Sequence, residues 1–388
     1  MSLRQNIPLL YVVQSLMWVR FYIPVFALFY IASQVSFEQF SIIMGVYALV
    51  MIVFEVPSGV FADFFGKKKT LLISKSLFLI QLFVVAFCNG FWPLLLAQVV
   101  AGIAGTLSSG TEEAFLYDTL RKLGRTGEHK RISGNLYAVT NTTKAFVFVL
   151  GGFLFALNPK WPALFSLPFN VLALVLVCFF TEPTVRRTQL RFKQSFSHLK
   201  KSCQEFMHYK TLKYLALFSL PVNAVVGVVL SSSSSYFEQI QIPVVFVGVL
   251  AFASSLVVAF SSKLAHAVEQ RLGDRASLLL VQFFLFAGLV LLSLMAPFIG
   301  VAFYFLIPLA AGFSGVLINH YMNLHVGSKH RVTMLSIKNL ADNVGVAVAF
   351  PLFGYATKTY SMSIAWALFA GVFLVYALLL SFWKQRRC

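Results

Sequence analysis

Arg20 and Lys144 each stand in the middle of a long apolar run. The first lies in WVRFYIP, with Trp18, Phe21, Tyr22 and Pro24 around it; the second lies in NTTKAFVFVLGG, beside Asn141, Thr142 and Thr143. Two acids, Glu112 and Glu113, stand equally deep in SSGTEEAFLYDTL. A charge at the centre of an apolar span costs about 2.5–3.5 kcal/mol on insertion scales, so such residues face a cavity or one another. Guanidinium and ammonium groups recognise carboxylates and phosphates, and a carboxyl kept from water holds its proton to higher pH and can carry one. The set points to anion recognition by Arg20 and Lys144, with Glu112 or Glu113 as proton carrier and Arg20 as its counter-charge. The alternative for each cation is a structural ion pair. Consecutive helical residues point about 100° apart, so Glu112 and Glu113 do not meet the same partner.

Other polar residues in apolar surroundings read as support. Asp118 lies near Arg121 and Glu55 precedes Pro57, both at the ends of runs, and both suggest structural pairing. Lys338 and Asp342 fall at i and i+4 on one helix face, where they satisfy each other or leave Asp342 to a cavity with Asn339 and Asn343. Asn223 and the run Ser231 to Ser235 offer amide and hydroxyl groups to a solute, or serve as small residues at a helix contact. His320 and His325 sit at the end of a run, which reads as an interface. The cysteines Cys88, Cys178, Cys203 and Cys388 have the spacing of neither a disulfide framework nor a zinc site, so no metal is expected.

The elements that must position these residues are membrane helices. The chain is 59% hydrophobic and 11% charged, where soluble domains carry about a quarter charged residues. A spanning helix needs roughly 20 apolar residues. The pattern gives twelve, over about 7–31, 40–61, 70–88, 92–118, 133–157, 162–181, 212–235, 243–265, 276–296, 299–326, 334–357 and 362–383. The opening run carries Arg20 and has no small-residue cleavage site, so it reads as a first span. Placing both termini in the cytoplasm puts 25 of the 31 Lys and Arg on that side, two outside (Lys160, Lys358) and four within spans (Arg20, Lys75, Lys144, Lys338). The positive-inside rule then fixes the orientation and accounts for the net charge of +18 without nucleic acid. Between the sixth and seventh spans, Phe192, Phe196, Leu199, Cys203 and Phe206 recur at helical spacing beside Lys193, Lys200 and Lys201. That stripe predicts an amphipathic helix lying at the membrane surface.

After the second span comes GVFADFFGKKK, with Gly59, Asp63, Gly66, Lys67 and Lys68. The glycines allow a tight reversal, Asp63 can cap a helix start, and the lysines hold the loop inside. This stretch resembles the signature loop of the major facilitator superfamily, and the resemblance extends to the whole twelve-span layout. It implies an all-α membrane protein built as two pseudo-symmetric six-helix bundles, 1–181 and 212–388, joined by a cytoplasmic linker over 182–211. QRLGDRASLL, with Gly273 and Arg275 and no matching aspartate, is a degraded echo in the second half. The resemblance further implies a gate in which Asp63 latches the halves, with Lys338 as its partner. It implies a monomeric secondary transporter in a bacterial inner membrane, needing a small-molecule substrate, lipid and an ion gradient but no cofactor. The span-five Gly-Pro motif of many drug exporters is missing. That counts against a standard drug antiporter, and the cationic pair Arg20 and Lys144 fits an anionic or zwitterionic cargo instead; a polyspecific drug/proton antiporter is the alternative, with a non-transporting receptor on the same scaffold more remote. No Walker A, HExxH or GxSxG sequence appears, so no enzyme activity is expected.

Overall fold

The structure is a computed structural model that describes residues 2–183, 206, 209–325 and 331–385. The surface helix expected over 192–206 and most of the linker lie outside the described residues. Among those described, the chain forms helices α1 (Asn6–Met17), α2 (Phe26–Ala32), α3 (Phe37–Phe65), α4 (Lys67–Phe87), α5 (Phe91–Lys122), α6 (His129–Leu157), α7 (Trp161–Cys178), α8 (Lys210–Gln239), α9 (Val244–Ser293), α10 (Ile299–Tyr304), α11 (Leu306–His325), α12 (Arg331–Thr359) and α13 (Met362–Gln385). Ten segments are long and apolar enough to cross a membrane. One of them counts twice. The 50 residues of α9 would run about 75 Å, against a hydrocarbon core of about 30 Å. Gly273 (φ 76°, ψ 170°) divides it into two passes. With α1 and α2 as the first pass, the total is the expected twelve.

Gly66 has nearly the same backbone, φ 88° and ψ 155°, between α3 and α4. Only glycine takes that conformation without strain, so the loop and its echo share a turn as well as a sequence pattern. The α4 start exposes free N–H groups. Glu182 caps them, accepting from Lys67 N at 2.9 Å and Lys68 N at 2.7 Å. Asn6 ties the chain start to the ends of α5 and α7, donating to Thr119 Oγ1 (3.3 Å) and Thr181 O (2.8 Å). These contacts gather at the end of the bundle that carries the lysine-rich turns, here called the basic end.

The first pass is not the continuous span expected over 7–31. It breaks over residues 18–25, between α1 and α2. Unpaired backbone inside a membrane is tolerated only where protein supplies partners, and here α7 does. Phe21 N donates to Ser166 Oγ (3.0 Å), and Asn170 Nδ2 donates to Val19 O (3.2 Å). Val19, Phe21, Tyr22 and Val25 are all buried. A Cβ on Gly151 of α6 would collide with Phe21 O and Pro24, so the absent side chain there makes room for the break.

Among the described residues the two halves meet at the far end, opposite the basic one. A Cβ on Gly45 (α3) would fall 2.6 Å from Pro351 (α12), and one on Gly152 (α6) 2.8 Å from Gly248 (α9). Leu28 N donates to Ser234 Oγ at 3.3 Å, and Glu38 pairs with Lys358 at 2.7 Å. Nearer the basic end, Ser336 donates to Glu55 at 3.4 Å. Exposed Phe83, Phe146, Phe283 and Val372 cover the outside of the bundle, as lipid contact requires.

Candidate functional site

Arg20 sits in the break of the first pass. Its guanidinium carbon lies 4.4 Å from the centroid of the Phe78 ring on α4 and 6.0 Å from that of Trp18. Lys144, on α6, places its ammonium 3.5 Å from the centroid of the same indole and 3.4 Å from Asn141 Oδ1. Among the described residues no carboxylate lies within ion-pair distance of either cation. Ring quadrupoles hold them instead, an interaction of about 2 kcal/mol when desolvated. The break and α6 thus bring Arg20 and Lys144 together through Trp18, with their positive charge uncompensated.

Glu112 does not pair with Arg20. Its cation is Lys75 of α4, which is 3% exposed. Lys75 also donates to Ser108 Oγ at 2.7 Å, Ser108 donates to Glu112 at 2.6 Å, and Gln14 Nε2 of α1 donates to the other carboxylate oxygen at 2.8 Å. One carboxylate therefore ties α1, α4 and α5. Lys75 was the cation overlooked in matching charges. On α4 it lies one turn from Phe78, whose ring centroid is 5.9 Å from its side-chain nitrogen, and nothing in that placement points to Glu112. Glu113 points away, as the 100° rule requires. It accepts from Ser133 Oγ (3.1 Å), lies 3.1 Å from His129 Nε2, and is 59% exposed.

At the basic end, Asp118 pairs with Lys67 rather than Arg121, and Lys67 also donates to Ala114 O at 3.0 Å. Asp63 is exposed and makes no hydrogen bond or ion pair among the described residues, beside the open backbone of Gly59. Its expected partner Lys338 is held by Asp342 at 2.8 Å, so the Asp63–Lys338 latch is not formed in this conformation. Asp342 accepts a second bond from Ser219 Oγ of α8 at 2.6 Å. Asn223 turns back to Ser219 O at 3.1 Å, Asn339 is exposed and Asn343 half-buried. His320 is half exposed and 3.9 Å from Glu269; the His325 side chain lies outside the description.

Between the halves lies a cavity of about 250 Å³, lined by Ile23, Pro24, Phe26, Phe148, Leu230, Ser231, Ser233, Ala251, Ser254, Ser255, Val258 and Tyr304. The Ser231–Ser235 run was legible in the sequence as hydroxyls. Ser254, Ser255 and Tyr304, which complete the lining, were not. Among the described residues no group of His, Cys, Asp and Glu could hold a metal ion.

Comparison with known proteins places this architecture. The sequence profile of the Major Facilitator Superfamily matches residues 10–337. A class H tetracycline resistance protein of Pasteurella multocida is 23% identical over 359 residues, 90% of this chain and 87% of that one. A vacuolar membrane amino acid uptake transporter of Schizosaccharomyces pombe is 24% identical over 215 residues, 53% of this chain and 36% of that one. Among solved structures, the nucleoside transporter NupG superposes with a TM-score of 0.77 at 14% identity, covering 98% of each chain. A D-xylose–proton symporter gives 0.75 at 13% identity, over 98% of this chain and 97% of that one. At those identities the two structures speak for the fold alone. With twelve passes in two bundles, a signature loop in its place and a profile match across most of its length, the chain belongs to the major facilitator superfamily and is a secondary active transporter.

Proposed function

We propose that this transporter carries a small organic solute with at least one anionic group, coupled to protons. The observation that carries the reading is the uncompensated pair Arg20 and Lys144, parked on aromatic rings beside the central cavity. An arriving carboxylate or phosphate would replace two ring contacts by charge-assisted hydrogen bonds, which are about twice as strong as neutral ones. The halves, 1–181 and 212–388, would rock about this site, as related transporters do around a site at the midplane. Following the positive-inside rule, the basic end faces the cytoplasm of a bacterial inner membrane. The packed far end then marks a state open to the inside, and the free Asp63 suits it, since the signature-loop latch belongs to the opposite state. The protein would work as a monomer, with an ion gradient in place of any cofactor or catalysis.

Glu112 is the coupling candidate of choice. Its carboxylate holds Gln14, Ser108 and Lys75 at once. Protonation would weaken all three ties and free the first pass, which also carries Arg20, to move. Glu113, at the exposed end, would act on the α5–α6 contact instead. The test uses proteoliposomes with an imposed pH gradient. Glu112→Gln should abolish gradient-driven accumulation while keeping solute exchange, and Glu113→Gln should keep both. Gradient-driven uptake surviving in Glu112→Gln would refute this assignment. The second reading, a polyspecific drug/proton antiporter, is favoured by the tetracycline resistance relatives. Solutes that are bulky cations, moved independently of Arg20 and Lys144, would establish it.

A further inference from the structure

Arg20 and Lys144 do not themselves line the cavity, but residues within one turn of each do. Lys144 and Phe148 fall at i and i+4 on α6, one turn and about 6 Å apart on one face. Arg20 precedes Ile23 and Pro24 in the same break, and Phe148, Ile23 and Pro24 all line the cavity. A solute whose anionic group reaches the cations therefore places its body among these rings and, across the gap, against the second half.

What the second half offers there is specific. Ser233 donates its hydrogen to Leu230 O (2.8 Å), Ser254 to Leu250 O (2.8 Å) and Ser255 to Ala251 O (3.1 Å). Ser254 Oγ also lies 3.1 Å from the Tyr304 hydroxyl. Ser233 and Ser255, with their hydrogens turned back onto the helices, leave lone pairs for the cavity, and Ser254 shares its one hydrogen between Leu250 O and the Tyr304 hydroxyl. The lining residues include no acid, so an ammonium group would sit there without a counter-charge, whereas a neutral O–H would be satisfied. The remaining lining is aromatic and aliphatic, and includes the rings of Phe26 and Phe148. The volume, about 250 Å³, is below the usual range of drug-sized pockets, roughly 300–1,000 Å³.

We infer that the cargo is a compact hydroxylated aromatic acid: the acid group on Arg20 and Lys144 of the first half, the ring between Phe26 and Phe148, and the hydroxyl donated to the serines of the second half. This inference rests on the anion reading above and adds the chemistry of the far end of the solute. It also gives the solute a reason to draw the halves together, since each half holds one end.

Equilibrium binding to the purified full chain tests it, with three probes: 4-hydroxybenzoate, 4-methylbenzoate, in which a methyl group replaces the hydroxyl, and 4-hydroxybenzyl alcohol, which lacks the charge. Wild type should bind 4-hydroxybenzoate at least about tenfold tighter than 4-methylbenzoate, because a buried hydroxyl site left unpaired rejects the analogue. Ser254→Ala, and separately Ser233→Ala in case one of them unfolds, should shrink that ratio toward one without weakening 4-methylbenzoate. Arg20→Gln should weaken both acids alike. A ratio near one in wild type, a ratio unchanged in both serine variants, or no binding of 4-hydroxybenzoate would overturn the inference. Equal binding of 4-hydroxybenzyl alcohol and 4-hydroxybenzoate, or acids indifferent to Arg20→Gln, would instead overturn the anion reading beneath it.

Discussion

Among the described residues, Lys75, Lys338, Arg20 and Lys144 lie within the passes of this transporter, and they fall into two kinds. Lys75 and Lys338 are each locked to an acid that a serine also holds: Lys75 to Glu112, with Ser108 bonded to both, and Lys338 to Asp342, which accepts from Ser219. Arg20 and Lys144 have only rings, together with one amide oxygen. The locked pair occurs once in each half, whereas both free cations lie in the first half. The difference teaches where to look for work. A charge neutralised inside the protein holds helices together, while a charge left open at a break beside a cavity is available to a solute.

The comparison breaks if the two kinds respond alike to mutation. The largest effect is expected at the locked Lys75. Lys75→Met leaves the half-buried Glu112 without its cation and should cost about 1–3 kcal/mol of stability, seen as a fall in the melting temperature in detergent. The double variant Lys75→Met/Glu112→Met should recover most of it. Arg20→Gln should do the reverse: transport falls on the order of 100-fold, as when one partner of a buried charge contact is removed, while the melting temperature stays within a few degrees. A selective binding defect in the first and a folding defect in the second would invert the account.

Smaller effects sharpen the same contrast. Gly151→Ala pushes a methyl group into Phe21 O and Pro24, and should cost about 1–3 kcal/mol by overpacking. Because the strain falls on the break that carries Arg20, solute affinity should drop along with the melting temperature. Glu38→Gln at the far end should change stability by no more than about 1 kcal/mol, since its partner Lys358 is 65% exposed. It should still raise the labelling rate of a cysteine placed at Ser41 by a reagent added at the far end, by loosening the packing there.

Much of this was readable from the residues. The twelve passes follow from hydropathy because a lipid-facing helix has no other composition open to it, and the turn at Gly66 and its echo at Gly273 follow from the only residue type that tolerates their backbone. Two things were not readable. The break at 18–25 is as apolar as a helix, and a window of about 20 residues averages over it. Pro24 and the glycines of α6 were its only marks, and only packing showed that Gly151 answers Phe21. The partner of Glu112 was missed because pairing depends on which helices touch. Lys75 and Glu112 are 37 residues apart in sequence, on α4 and α5, and nothing in the spacing selects that pair over Arg20.

The central claim is that Arg20 and Lys144 are open for an anion. Its most direct test is thermal stability of the purified protein against a panel of small organic acids and bulky apolar cations, with Arg20→Ala and Lys144→Ala alongside wild type. Ligands that bind the native state alone raise the melting temperature in proportion to their affinity and concentration. The account predicts that a subset of acids stabilises wild type and that both variants lose the shift. Stabilisation by many bulky cations, equal in wild type and both variants, would contradict it.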